Sequence, residues 1–270
     1  MIKNILRKIK NRLRNVYFRN QLMKLSSSYP ESKIRVDPTV NYFNSNISLG
    51  NQSSVVINEE VIIENSLISI GDNCTMVIQR NSVLKNINFC LLNGANVNIG
   101  AGAIFNNQIR LQTIVVDNGS FTVDEKVNIK ADNITVRFGG NLKIGKYTGI
   151  GHGTEIRCEE KIDIGSYGLI SYDVCIYDTN THSSDWQERR ERIEKGYPIG
   201  ASEVVKPATK PVKIGDDVWI GKGATIVKGT TIGNRTVIGI RTIVGGGAYP
   251  DDSVLVSSKP RVIQKNKVEL

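Results

Sequence analysis

No apolar run in this sequence approaches the ~18 residues of a membrane span, so no spanning helix is expected. No continuous apolar stretch follows the basic N-terminus, so no secretory signal is expected either. Histidine occurs only twice, as His152 and His182, which excludes a catalytic zinc held by three histidines. The four cysteines (Cys74, Cys90, Cys158 and Cys175) form no CxxC pair and no dense framework. They read as reduced, small apolar residues of a cytoplasmic protein, and no metal is expected. Aromatic residues make up 6% of the chain. That scarcity argues against one large aromatic core and for a fold assembled from many small, similar turns.

Acidic residues are missing from the first thirty positions, which carry Lys3, Arg7, Lys8, Lys10, Arg12, Arg14, Arg19 and Lys24. The whole chain has 35 basic and 26 acidic residues, so nearly all of its +9 net charge sits in this segment. A nucleic-acid-binding body is therefore not implied, and no nucleic-acid partner is expected. Within residues 2–25, Ile2, Ile5, Leu6, Ile9, Leu13, Val16 and Tyr17 recur at helical spacing with the charges between them. The pattern predicts a basic amphipathic helix, roughly 35 Å long if continuous, in an N-terminal unit of residues 1–30 that ends at Ser26-Ser27-Ser28 and Pro30. Such a helix can cap the fold behind it, lie on an anionic membrane surface, or contact a neighbouring subunit or partner. The first two are compatible, so peripheral placement on the inner face of a bacterial membrane stays open.

After residue 40 the pattern changes. Ile214, Ile220, Ile226, Ile232, Ile238 and Val244 recur every six residues, and Gly215, Gly221, Gly233, Gly239 and Gly245 follow five of them. Neither a helix nor an alternating strand sustains a period of six; a hexapeptide solenoid does. Each unit supplies a short strand and a tight turn, and three units close a triangular coil. The aliphatic residue points inward and the glycine eases the turn. The beat also runs through Ile144, Ile150, Ile156 and Ile162, slips by two, and continues through Ile164, Ile170 and Ile176. Upstream, Ile99, Phe105, Leu111, Val123 and Ile129 keep a spacing of six or twelve, amid many asparagines suited to positive-φ turns. The expected architecture is all-β: a left-handed parallel β-helix over 42–263, looser toward its N-terminal end, with a tail at 264–270.

The break in the repeat marks the candidate site. The beat after Ile176 falls on His182; the repeat then stops and restarts at Ile214. Residues 183–211 read as a protruding loop carrying Trp186, Arg189, Arg190, Arg192 and Lys195. Long insertions in solenoids project from one face, commonly a binding face.

Here the chain resembles the hexapeptide-repeat O-acetyltransferases. The likeness rests on Thr179-Asn180-Thr181-His182, the loop after it, Pro211-Val-Lys-Ile-Gly-Asp-Asp-Val-Trp219-Ile-Gly, and the ending Pro250-Asp-Asp with Lys259-Pro-Arg-Val-Ile263. It covers 142–263 well, 42–141 weakly and 1–41 not at all. The nearest subgroup is the bacterial sugar and polysaccharide O-acetyltransferases; galactoside, maltose and streptogramin acetyltransferases are similar at greater distance. The resemblance implies a homotrimer with sites between subunits, acetyl-CoA as donor, a sugar or glycan acceptor, and His182 as general base. Relatives often carry Asp two residues before that histidine, where this chain has Asn180; Asp178 is the nearest carboxylate before it, and either could orient the ring. Trp219 would wall the pantetheine arm or the sugar. Arg241, Lys259, Arg261 and Lys265 would serve the CoA phosphates, with the Ile240 backbone along the arm and Lys222 as a further candidate. Gly245-Gly246 stands where many relatives have Thr-Lys, so the phosphate contacts must be redistributed. His152, in Gly151-His152-Gly153, is either near the acceptor or simply exposed. N-acetylation of a nucleotide-linked amino sugar needs the same donor and base and remains an alternative. So does a non-catalytic β-helix scaffold, which would need neither the histidine at the break nor the loop.

Overall fold

The structure, a computed structural model, describes residues 27–195 and 205–258 together with Val16 and Lys24. Lys259, Arg261, Lys265 and the tail lie outside the described residues, as does the N-terminal helix apart from Val16 and Lys24, which are helical.

The six-residue beat produces the left-handed parallel β-helix expected from it. Among the described residues, twenty-nine short strands wind into three sheets of ten, ten and nine strands, the faces of a triangular prism. The first face runs from β1 (Lys33–Val36) to β28 (Gly247–Tyr249), the second from β2 (Asn41–Phe43) to β29 (Val254–Leu255), and the third from β3 (Asn46–Leu49) to β27 (Ile243–Val244). Each strand pairs in parallel with its counterpart one coil on, so the first strand at Lys33 already belongs to the solenoid, ahead of the expected start at 42. Ile214, Ile220, Ile226, Ile232, Ile238 and Val244 all point into the prism and are buried, as are Ile144, Ile150, Ile156, Ile162, Ile164, Ile170 and Ile176. Fully burying such a side chain stabilises the fold by about 1.5–3 kcal/mol.

The N-terminal coils are not a looser version of this beat. They keep a longer one: Lys33 pairs with Ser54 and Ser54 with Thr75, a step of 21 residues, against 18 between Lys213 and Thr231. The longer coil encloses a wider interior. Phe89, Phe105 and Phe121, each fully buried, fill it with ring centroids 6.4 Å apart. Leu111 fits the six-residue count yet is 61% exposed, and the side chain buried beside it is Gln112. Here an insertion lengthens the coil to 24 residues, Asn96 pairing with Ser120, and shifts the beat.

The glycines of the C-terminal coils also have a different cause from the one the turn suggested. Gly233 has no left-handed φ; a Cβ there would overlap the Pro250–Asp251 backbone of the next coil. Left-handed residues occur two positions later, as at Asp217 and Arg235 (φ 57° and 56°).

Candidate active site

The interruption leaves the prism at the corner between the third and first faces, between β21 (Cys175–Tyr177) and β22 (Val212–Ile214). Its two ends are stitched together. Thr179 bridges antiparallel to Thr209, the Asn180 N–H donates to the Ala208 carbonyl (3.0 Å), and the Lys210 N–H donates to the Asp178 carbonyl (2.9 Å). The chain therefore leaves the prism after Asn180 and rejoins it at Ala208 with the base of the excursion closed.

Asp178 is wholly buried, and its carboxylate accepts the backbone N–H groups of Glu159, Glu160 and Lys161 at 2.7–2.8 Å. Burial pushes this carboxyl above the usual carboxylate range, with the three amide donors pulling against it. Asp178 thus staples two coils together beneath the loop. Thr179 is buried beside it and donates its hydroxyl to the Glu159 carboxylate (2.7 Å); Glu159 in turn pairs with Arg137. Asn180 is exposed. His182 does not fill a core position as its place in the beat suggested. It stands exposed just outside the stitched base, because the chain has already left the prism after Asn180.

The protruding segment is not wholly loop. Trp186–Glu194 forms helix α1, N-capped by the Asp185 side chain, which accepts the Gln187 N–H at 2.8 Å. Glu188 in the first turn and Arg192 in the last suit the helix dipole. No residue of α1 is buried, Trp186 and Ile193 included; Arg190 lies over the Trp186 ring at 4.8 Å.

The donor-side candidates lie elsewhere on the prism. Trp219 is on β23 (Trp219–Ile220) of the second face with its side chain outward, 51% exposed. Leu169 in the coil before, and Val254 two coils on beyond half-buried Val237, continue that outward stripe, exposed by 60% and 69%. Lys222, Ile240 and Arg241 occupy the corner between the second and third faces. Lys222 pairs with Asp173 at 3.4 Å, Ile240 is exposed, and Arg241 adopts a left-handed turn (φ 53°). Within one chain, the third face therefore separates the corner of His182 from the corner of Lys222 and Arg241. Gly245-Gly246 lies at the same corner as His182, one side of the turn into β28.

His152 shares the corner of Lys222 and Arg241, and here the structure adds a residue that sequence reasoning missed. The Nδ1 atom of His152 lies 3.0 Å from the side-chain oxygen of Asn107. Asn107 is almost fully buried; its oxygen accepts the Ile109 and Arg110 N–H groups, and its amide nitrogen donates to the Lys130 carbonyl and the Asp132 carboxylate. These bonds fix the amide orientation, so Nδ1 must carry the proton toward Asn107, and neutral His152 has Nε2 as its acceptor. Asp132 also accepts the Gly153 N–H and pairs with Arg110. Burial works to raise its carboxyl, but these donors outweigh burial and hold it below its ordinary value. The His152 ring stacks on Tyr172, centroids 5.9 Å apart. A signal for Asn107 was present in the sequence: Asn44, Asn65, Asn86 and Asn107 recur every 21 residues, and the first three hold left-handed turns at this same corner.

The arrangement offers an exposed imidazole at one corner and a half-buried one at another, backbone N–H groups at the turns, and an outward aromatic on the second face. This is suited to proton transfer and to holding an extended ligand along stacked coils.

Residues 211–248 match the family described as bacterial transferase hexapeptide (six repeats). No curated protein sequence matches the chain. Among solved structures, the chain is similar to the polySia specific acetyltransferase NeuO (19% identity, 89% of this chain and 93% of that one, TM-score 0.43). It is similar to the polysialic acid O-acetyltransferase OatWY (18% identity, 85% and 94%, TM-score 0.46). It is also similar to a hexapeptide-repeat containing acetyltransferase of Vibrio cholerae O1 biovar eltor complexed with acetyl coenzyme A (27% identity, 53% and 69%, TM-score 0.39).

Proposed function

We propose that this chain, whose coils over 211–248 are bacterial transferase hexapeptide repeats, is an O-acetyltransferase that moves the acetyl group of acetyl-CoA onto a sugar hydroxyl of a glycan or glycan precursor. The observation that carries the reading is the break in the repeat. An exposed histidine stands directly outside a stitched loop base, at the start of the excursion after which the family's coils begin at residue 211.

In this reading His182 is the general base. A sugar hydroxyl is a poor nucleophile at neutral pH, and the imidazole takes its proton as the oxygen attacks the thioester carbonyl. The tetrahedral oxyanion is stabilised by turn N–H groups. Its collapse breaks the C–S bond, and the thiolate takes the proton back from the imidazolium. Direct transfer with both substrates bound needs no acyl-enzyme. Asn180 borders the base, while Asp178 supports it through the backbone. Trp219, Ile240, Arg241 and Lys222 serve the donor, with Lys259 and Arg261 assigned the same role.

The split of these groups between two corners supports a site built between subunits, where one copy supplies His182 and another supplies Lys222 and Arg241. The exposed stripe of Leu169, Trp219 and Val254 supports the same assembly, a homotrimer. The unit from 42 to 263 with its excursion at 183–211 would then be the acyltransferase body. No helix among the described residues is long and apolar enough to cross a membrane. The basic segment 1–25 is assigned to an anionic membrane surface on the cytoplasmic side, which vesicle flotation of full-length protein against a form lacking residues 1–28 tests.

The experiment for the activity is acceptor-dependent CoA release, corrected for hydrolysis, over a panel of neutral and acidic oligosaccharides that includes polysialic acid. The wild type is compared with His182→Ala. The reading expects the substitution to cost about 10²–10⁴-fold in turnover. Unchanged turnover in the variant sinks it. Amino-sugar nucleotides in the same panel test the N-acetyl alternative.

A further inference from the structure

A buried ion pair lies in the wall beneath His182, where a solenoid has no structural need of one. Arg137, Glu159 and Thr179 occupy the same place in three successive coils, each following the last strand of its coil on the third face. Glu159 is fully buried and Arg137 is 8% exposed. The next coils back and on place Asp117 and Gly229 at or near this register, and neither is buried as a charge. Taking two charges out of water is costly, and their attraction often fails to repay it. The guanidinium Nε is also left buried without a hydrogen-bond partner. Such a pair calls for a role other than stability.

Its contacts lead in one direction. The Arg137 guanidinium holds one oxygen of Glu159, and the other oxygen accepts the Thr179 hydroxyl at 2.7 Å. With its proton committed to Glu159, the Thr179 Oγ1 accepts the Thr181 N–H at 3.1 Å. Thr181 sits at φ 66° and is the one β-branched residue with a left-handed φ among the described residues. A β-branched side chain is costly there, and such strain persists only where surrounding contacts over-determine it. The residue so held is the one before His182.

We infer that Arg137, Glu159 and Thr179 are positioning residues: they lock the backbone of Thr181 and thereby aim the imidazole of His182. The catalytic part of this inference rests on His182 being the base. The geometric part does not. Glu159 fixes the direction of the threonine hydroxyl, Arg137 holds Glu159 in place, and Thr179 transmits the arrangement to the loop.

The test uses full-length protein labelled with ¹³C in its histidine rings, of which the chain has two. The variants are Thr179→Val, Thr179→Ser and Glu159→Gln; His182→Ala assigns the signals, and His152, at another corner, reports folding. Thr179→Val is expected to shift or broaden the His182 signal, leave that of His152, and lower kcat about tenfold to a hundredfold with little change in KM for acetyl-CoA. Thr179→Ser, which keeps the hydroxyl, is expected to restore both. An unmoved His182 signal in Thr179→Val, or a serine variant as impaired as the valine, overturns the inference. If the valine variant unfolds and the His152 signal collapses too, Glu159→Gln decides, a moved His182 signal supporting the relay and an unmoved one ending it. If the signal moves but neither Thr179→Val nor His182→Ala alters turnover, the base assignment fails while the positioning stands.

Discussion

Asn107 and His152 are 45 residues apart in the chain and 3.0 Å apart in the fold. An insertion in one coil and a histidine two coils on meet at one corner, because each coil places its turn directly over the last. Asn107 is buried at the start of the lengthened turn that leaves Leu111 on the surface.

Removing that amide tests the corner. Asn107→Ala leaves the Ile109 and Arg110 N–H groups without their acceptor and frees the His152 ring. The buried Asn107 amide makes four hydrogen bonds besides the one to His152, each worth about 0.5–1.5 kcal/mol net, so denaturant unfolding at fixed protein concentration is expected to show a loss of at least ~1 kcal/mol, together with a changed His152 ring signal. A variant as stable as wild type with an unshifted signal contradicts the role given to Asn107.

Acidification probes the same cluster through Asp132. Its carboxyl is held below its ordinary value in the folded chain. Its charge therefore stabilises the fold above the unfolded value, about pH 3.9, and that contribution is lost as the pH falls through the lower folded value. The stability gap between wild type and Asp132→Asn is expected to be full near pH 7 and to close in strongly acidic solution. A gap that widens on acidification reverses the assigned sign.

Two glycines that look alike in the sequence are expected to respond oppositely. A Cβ at Gly233 overlaps the backbone of Pro250 and Asp251, whereas at Gly245 it meets nothing within 4 Å. Gly233→Ala should destabilise the C-terminal coils, since backbone on both sides must move. Gly245→Ala, at an ordinary φ, should be neutral or stabilising by up to about 1 kcal/mol, through the unfolded chain. Thermal unfolding of the two variants side by side distinguishes them, and equal Tm values refute the close-approach explanation.

The outward stripe on the second face gives a test of assembly. Leu169→Asp and Trp219→Asp place charge on residues that are already exposed, so a lone chain should fold as before. If copies meet there, both substitutions should reduce the mass measured by light scattering toward that of a single chain. Unchanged mass places the contact elsewhere.

The sequence by itself determined the solenoid, because a column of aliphatic residues six apart has no other way to reach a dry interior. Ile214 through Val244 required nothing beyond their own spacing. It also located the excursion, since a missing beat at His182 and a restart at Ile214 are local facts. Tertiary structure decided what those facts meant. A period of 21 in the N-terminal coils is as strict as one of 18, but its members (Asn44, Asn65, Asn86, Asn107) touch only once the coils stack. The same stacking, not the turn, accounts for Gly233, where the neighbouring backbone leaves no room for a Cβ. It buried Asp178 against three amides and left His182 outside, although counting put His182 in the core. And it set His182 and Arg241 on different corners of the prism, a separation invisible along the chain because it depends on how far each coil turns before the next begins.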